Sequence, residues 1–197
     1  MATGLSLKQL RLDSCMTQEM FAALVGVDVR TVRRWESGDT TPPHDIMAKL
    51  ANARPACTVS AAVISIMEIT GDMMLLFDRK HRLVLSSTAH GRAIGYASPH
   101  WVGRRAEETM PKSIADMWER FGGIELFFTA GVKTMEYCGL YDGSSTEADR
   151  TVTGQPMAML IRTTRVDGAE GAPYRLVHIR EIPMSLYVPG EPRVTYL

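Results

Sequence analysis

The chain of 197 residues has little cysteine, no excess charge of either sign and no long apolar run. Cys15, Cys57 and Cys138 are odd in number and far apart, which fits neither a disulfide framework nor a zinc site; all three are read as reduced intracellular thiols. Because 22 Lys+Arg balance 22 Asp+Glu, no global basic field draws the chain to nucleic acid or a membrane, and any nucleic-acid contact must be local. No segment approaches the roughly 18 apolar residues of a membrane span. Polar Lys8, Gln9, Arg11 and Asp13 stand where a secretory signal needs an apolar core, so a cytoplasmic protein with no membrane partner is expected. Internal repeats and low-complexity stretches are also missing. What is present is an apolar content of 45%, ordinary for a chain that buries a core, at a length suited to one or two domains.

The first division falls at Asn52-Ala53-Arg54-Pro55-Ala56-Cys57, where proline disfavours continued helix. Before it, apolar residues recur at three- and four-residue spacing; after it come strand-like runs such as Met73 to Phe77 and Met157 to Ile161. The expected organisation is a helical domain over 1–55, a linker helix within 56–70 centred on Ala61 to Ile69, an α+β domain over 71–183, and a tail over 184–197 without a packing pattern.

In the helical part, Leu7, Leu10 and Arg11 lie on one side of a short helix ending near Asp13-Ser14. Thr17 is the N-cap candidate of a second helix whose buried side is read as Phe21, Leu24 and Val25, and Gly26 supplies the permissive backbone for a sharp turn. Asp28 then caps a third helix with Val32 and Trp35 inward and Arg30, Arg33 and Arg34 outward, ended by Gly38. Pro42-Pro43 precede a fourth helix carrying Ile46, Met47 and Leu50.

This order resembles the Xre/Cro-like, phage-repressor family of helix-turn-helix domains. The resemblance is carried by Thr17-Gln18-Glu19, the turn at Gly26-Val27, and Thr31-Val32-Arg33-Arg34-Trp35-Glu36-Ser37-Gly38, and it covers Ser6 to about Ala53. It implies double-stranded DNA as partner, with the third helix in the major groove and Val29, Arg30 and Arg34 at base-reading positions, Arg33 beside them. The chemistry agrees: an arginine fork bonds a guanine edge bidentately and a valine touches a thymine methyl. Gln18, at a helix start, is a phosphate donor, with Thr17, Asp28 and Ser37 as further members of the DNA-binding set. Arg11 and Glu36 fall where the family has a structural ion pair. Residues 1–55 hold seven basic against six acidic side chains, so one copy should bind weakly. A homodimer on a palindromic operator is therefore expected.

Beyond the linker, Met73 to Asp78 and Arg82 to Ser87 read as a hairpin across Arg79-Lys80-His81. Short helices are expected at Ala89 to Ile94, Pro99 to Val102 and Ser113 to Phe121, followed by strands at Lys133 to Tyr141, Met157 to Arg165 and Tyr174 to Ile182. Two strands, several short helices and three strands make an α+β domain with an antiparallel sheet. That order is similar to a PAS domain, a sensor and dimerisation module. The local matches are Leu75 to Val84, then Ile94-Gly95-Tyr96 and Ser98-Pro99-His100-Trp101-Val102-Gly103-Arg104. The fold expected for the whole chain is thus multidomain: an all-α phage-repressor-like domain followed by an α+β PAS-like domain.

A PAS-like pocket implies a small ligand or a protein partner as input, yet no cofactor is assigned. The Asn-Cys-Arg-Phe-like helix of photochemical flavin domains is missing, and Cys138 sits on a strand. Histidines that could ligate haem are His81 in an exposed turn, His90 on a short helix, His100, and His178 on a strand. A lone histidine on such elements is more often a packed or solvated side chain than a ligand. Met73, Met74, Met135, Met157 and Met159 are read as core filling. No metal site and no catalytic residue is expected: Asp142, Ser144, Ser145, Glu147 and Asp149 share one loop, but that is ordinary loop composition and no histidine lies near in sequence. The reading is a transcriptional regulator, not an enzyme; the alternative is an antitoxin or adaptor whose second domain restrains another protein.

Overall fold

The computed structural model describes residues 4–52, 59–93, 102–141, 156–167 and 173–196. Four helices open the chain: α1 (Gly4–Asp13), α2 (Gln18–Val25), α3 (Val29–Ser37) and α4 (His44–Asn52). Local chemistry sets their ends. The Thr17 hydroxyl accepts the Met20 N–H, the Asp28 carboxylate accepts the Arg30 N–H, and Gly26 (φ 74°) and Gly38 (φ 85°) take the left-handed conformation that closes α2 and α3. Leu7, Phe21, Ala22, Val32, Trp35 and Ile46 form the core of this unit. Full burial of a side chain the size of Phe21 is worth about 1.5–3 kcal/mol.

Leu24 corrects the expected buried side of α2: it is 44% exposed, while Met20, Phe21 and Ala22 are buried. The reason is that α2 packs on two partners. Phe21 and Ala22 face α1 and α3, whereas Met20 joins a second cluster with Leu12 and Cys15. That second contact turns the buried arc towards the helix start. Cys15 corrects a further expectation, since it is disulfide-bonded while Cys138 is free.

Next come α5 (Ala61–Ile69), capped by the Ser60 hydroxyl on the Val63 N–H, and the hairpin β1 (Met73–Phe77) and β2 (Leu83–Ser86). Helices α6 (Thr88–Ala93), α7 (Ala106–Thr109), α8 (Lys112–Phe121) and α9 (Leu126–Thr129) follow, then strands β3 (Val132–Tyr141), β4 (Met157–Asp167), β5 (Pro173–Ile182) and β6 (Arg193–Tyr196). One antiparallel sheet results, in the order β2-β1-β5-β4-β3-β6. The chain makes the hairpin at one edge, crosses one face with short helices, and returns through β3 and β4 so that β5 pairs with β1. This is the α+β PAS-like architecture that the resemblance implied.

The tail is not patternless: Arg193–Tyr196 adds a sixth strand to β3, with Met135 opposite Val194. Its signal is weak because the strand covers four residues and follows Pro189, Gly190 and Pro192. Helices α7 and α9, four residues each, were likewise not expected. His81 is buried rather than exposed. Its backbone takes φ 61°, and the ring packs 5.6 Å from that of Phe128. The expected segments Ile94 to Tyr96, Ser98 to Trp101 and Asp142 to Gly154, with His100 and the acidic and serine residues of that loop, lie outside the described residues.

Period-two alternation splits the sheet into two faces. Met135, Tyr137, Met159, Ile161, Val177 and Ile179 point at α8 and α9, packing on Ile114, Met117, Trp118 and Phe127. On the other face, Leu76, Leu85 and Tyr174 meet Ile64 and Met67 of α5 together with Leu12, Cys15 and Met20 of the helical unit. Helix α5 is therefore more than a connector: it covers the sheet and brings the first two helices onto the same cluster.

Candidate nucleic-acid interface and an internal cavity

Helix α3 presents its charged side to solvent because Val32 and Trp35 anchor the opposite side. Arg30, Arg33 and Arg34 are exposed and Val29 is half-buried. Arg33 Nε donates to Gln18 Oε1 at 3.1 Å, whereas the Arg30 and Arg34 side chains make no hydrogen bond or ion pair among the described residues. Ser37 is exposed and its hydroxyl donates to Arg34 O. Asp28 is exposed at the start of the helix, its carboxylate spent on the Arg30 N–H. Thr17 stands apart: it is 1% exposed and its hydroxyl is used inside the α2 cap.

Beneath this surface lies a buried polar cluster. Arg11, fully buried, donates from Nε to Glu36 Oε1 at 2.6 Å and from Nη2 to Glu36 Oε2 at 3.2 Å. Its Nη1 donates to Met16 O and to Glu68 Oε1, the latter at 2.8 Å. Each of the three guanidinium nitrogens is thus matched, as a buried charge requires. Gln18 joins the cluster twice: its backbone N–H donates to Glu68 Oε1 at 2.6 Å and its side-chain Nε2 to Glu36 Oε2 at 2.8 Å. Burial raises the Glu68 carboxyl above its ordinary value, opposed by the Arg11 charge and the Gln18 N–H. At the rim, Arg92 of α6 reaches Glu19 at 3.2 Å.

A second feature lies inside the sheet domain, between the inner face of the sheet and the short helices. A cavity of about 60 Å³ is lined by Phe77, His90, Met110, Ile114, Trp118, Tyr137 and Arg175, with further aliphatic side chains between them. Arg175 is 2% exposed, and its Nε and Nη2 have no hydrogen-bond partner among the described residues. Its guanidinium carbon lies 4.3 Å from the Phe77 ring centroid and 5.4 Å from that of Trp118. Such stacking is worth about 2 kcal/mol when desolvated, against several kcal/mol to take the ion out of water. Burial pulls the Arg175 pKa down to about 10, so the group remains a cation at neutral pH. Burial also pushes the Tyr137 hydroxyl up, opposed by Arg175 and by the adjacent Thr163 and Trp118 side chains; Trp118 Nε1 and Thr163 Oγ1 still lack a well-directed partner. His90 is held neutral, its pKa lowered by burial to about 4, with Nδ1 3.0 Å from Ser86 Oγ. His178 sits elsewhere, 3.6 Å from Asp72.

Compared with known proteins, residues 7–53 match the helix-turn-helix family. These residues are a helix-turn-helix domain. No curated protein sequence matches the chain. Among solved structures, the PAS domain of an HTR-like protein from Haloarcula marismortui is 18% identical, covering 62% of this chain and 96% of that one at a TM-score of 0.44. The Vibrio cholerae VqmA dimer is 14% identical over 64% of this chain and 54% of that one, at 0.45. A VqmA–ligand–DNA complex is 16% identical over 62% and 51%, also at 0.45. The matched region spans about half the length of the VqmA chains.

The helix-turn-helix domain brings Gln18, Val29, Arg30, Arg33, Arg34 and Ser37 to its α2 and α3 surface and withdraws Thr17 beneath it. Two residues escaped the sequence reading. Glu68 is the lone charge in the apolar helix Ala61-Ala62-Val63-Ile64-Ser65-Ile66-Met67-Glu68-Ile69, a signal that a buried cation awaits it. Arg175 shares strand parity with Val177 and Ile179, which marks an inward-facing charge. Among the described residues no helix is long and apolar enough to cross a membrane, and no group of three His, Cys, Asp or Glu is placed to hold a metal.

Proposed function

We propose that this chain is a sequence-specific, homodimeric DNA-binding regulator whose PAS-like domain biases the placement of its reading heads. The observation that carries the reading is Arg30 and Arg34, exposed on a helix fixed by the Asp28 cap, the Gly26 turn and the Trp35 anchor, within the region that matches the helix-turn-helix family. Such a helix reads the major groove, each good arginine–guanine pair contributing about 1–3 kcal/mol of discrimination. With a net charge of only one over residues 1–55, a single head binds weakly, and two heads on a two-fold operator with half-sites about 34–36 Å apart supply the affinity. Ile66 and Ile69, exposed three residues apart on α5 with Ile69 at 84%, offer apolar surface for the second copy.

Control follows from the shared cluster. A signal acts only by favouring one arrangement of the heads over another. Helix α5 touches the sheet through Ile64 and Met67 and the reading unit through Glu68, so a shift of the sheet's outer face moves the contact with Arg11 and Gln18.

The test is selection of a binding sequence from random duplexes, followed by fluorescence anisotropy on Arg30→Ala and Arg34→Ala, with sedimentation of the free protein. Each substitution is expected to weaken the selected site by about 1–3 kcal/mol while leaving random duplex less affected. Unchanged discrimination in the double variant, or a monomer at the concentrations that bind DNA, overturns the reading.

A further inference from the structure

We propose that the cavity of the sheet domain takes a small monocarboxylate with a short apolar body, held by the free edge of Arg175. The inference deepens the reading of the PAS-like domain as ligand-responsive and rests on it.

Among the described residues two arginines are buried, with opposite surroundings. Arg11 meets the two oxygens of Glu36 through Nε and Nη2. Arg175 carries the same pair of nitrogens, Nε and Nη2, with no partner, and no carboxylate lies within ion-pair distance of it among the described residues. The rings of Phe77 and Trp118 are stacked near its guanidinium, but rings do not accept along the N–H edge. What this edge lacks is two acceptor oxygens in one plane, the geometry of a carboxylate.

The neighbours narrow the class further. Trp118 Nε1, beside the Tyr137 hydroxyl but without a well-directed acceptor among the described residues, is a second buried donor, so the ligand presents acceptors rather than donors. One buried positive charge is balanced by one negative charge; a dianion would leave a charge uncompensated. His90, which also lines the cavity, is neutral at physiological pH and adds no second cation. The rest of the wall, including Met110, Ile114 and Val177, is apolar, and a volume of about 60 Å³ restricts the body to a few carbon atoms.

The experiment uses the full chain without DNA. Calorimetric titration and thermal melting are run with acetate, propionate, butyrate and benzoate, and with the matching neutral amides, at constant ionic strength. At least one carboxylate is expected to bind saturably at one per chain and raise Tm, with its amide at least about tenfold weaker. Arg175→Met is expected to fold with a Tm no lower than that of the native chain and to lose the carboxylate response; Arg175→Lys, which keeps the charge but not the fork, is expected to bind at least about tenfold more weakly. The proposal is overturned if no carboxylate binds saturably, if amides bind equally well, or if both variants retain native affinity. Should Arg175→Met fail to fold, the Arg175→Lys titration decides. Because the readout needs no DNA, its failure leaves operator binding untouched, and loss of operator binding leaves this result standing.

Discussion

Glu68 Oε1 accepts the backbone N–H of Gln18 at 2.6 Å. This places a carboxylate of α5 at the start of α2, where a helix-turn-helix domain offers N–H groups to a DNA phosphate. One N–H cannot serve both anions. Glu68→Leu, which removes both the acceptor oxygen and the negative charge, is expected to tighten binding to random duplex and to steepen its salt dependence. Anisotropy titrations across a salt series measure this; an unchanged slope would show that phosphate does not reach the Gln18 N–H.

Arg11 holds Glu36 and Glu68 together below the surface, with side-chain exposures of 1% for Arg11 and 5% for Glu36. Removing the cation leaves two carboxylates facing each other in a poorly hydrated site. Arg11→Met is expected to cost about 3–5 kcal/mol, and adding Glu36→Gln and Glu68→Gln to recover much of it, since the penalty lies in the uncompensated charges. Urea unfolding of the single and triple variants gives both numbers. Equal stabilities of the two would place the loss in packing instead.

Much of this fold is legible because its signals are local. Thr17, Gly26, Asp28 and Gly38 mark helix ends by capping chemistry, and Val32 with Trp35 mark the inner side by spacing. Leu75, Leu76 and Phe77 announce a strand in the same way. The rest depends on partners far along the chain. Leu24 emerges because Met20 takes the second buried position, a consequence of packing against the α5 cluster. Val194 becomes a strand residue by pairing with Met135, 59 positions earlier in the numbering of that register. The same holds for function: Arg30 and Arg34 stand out by type and position, whereas Glu68 and Arg175 acquire meaning only from what surrounds them.

Gly139 marks where α8 meets the sheet. A Cβ there would lie 2.8 Å from Ile114 Cγ1 and 2.9 Å from Ile161 Cδ1. The helix cannot simply lift, because the Ser113 hydroxyl both donates to Leu140 O at 2.8 Å and accepts the Leu140 N–H at 2.9 Å. Gly139→Val is expected to destabilise by about 1–3 kcal/mol through overpacking, and Gly139→Ala by less. In urea the midpoint falls while the slope stays constant, because the surface exposed on unfolding is unchanged. A neutral Val variant would mean that α8 slides freely over β3.

His90 links the cavity wall to acid sensitivity. Burial lowers its pKa from 6.5 to about 4, so the unfolded chain takes up this proton near pH 6.5 while the folded chain resists until about 4. Between those values the unfolded state binds more protons. Its contribution is fully present above pH 6.5 and is lost as pH falls towards 4, amounting to about 3 kcal/mol at 1.36 kcal/mol per pKa unit. His81, also lowered chiefly by burial, acts in the same direction. Glu68, raised chiefly by burial, acts in the opposite one: its contribution is greatest below 4.5 and is lost as pH rises through its folded value. Comparing native chain with His90→Gln removes these shared terms. Urea unfolding at intervals from pH 7 to 4 is expected to show the native chain losing about 3 kcal/mol more than the variant. Parallel curves would mean that His90 takes its proton in the folded state at an ordinary pH, and hence that water reaches this side of the cavity.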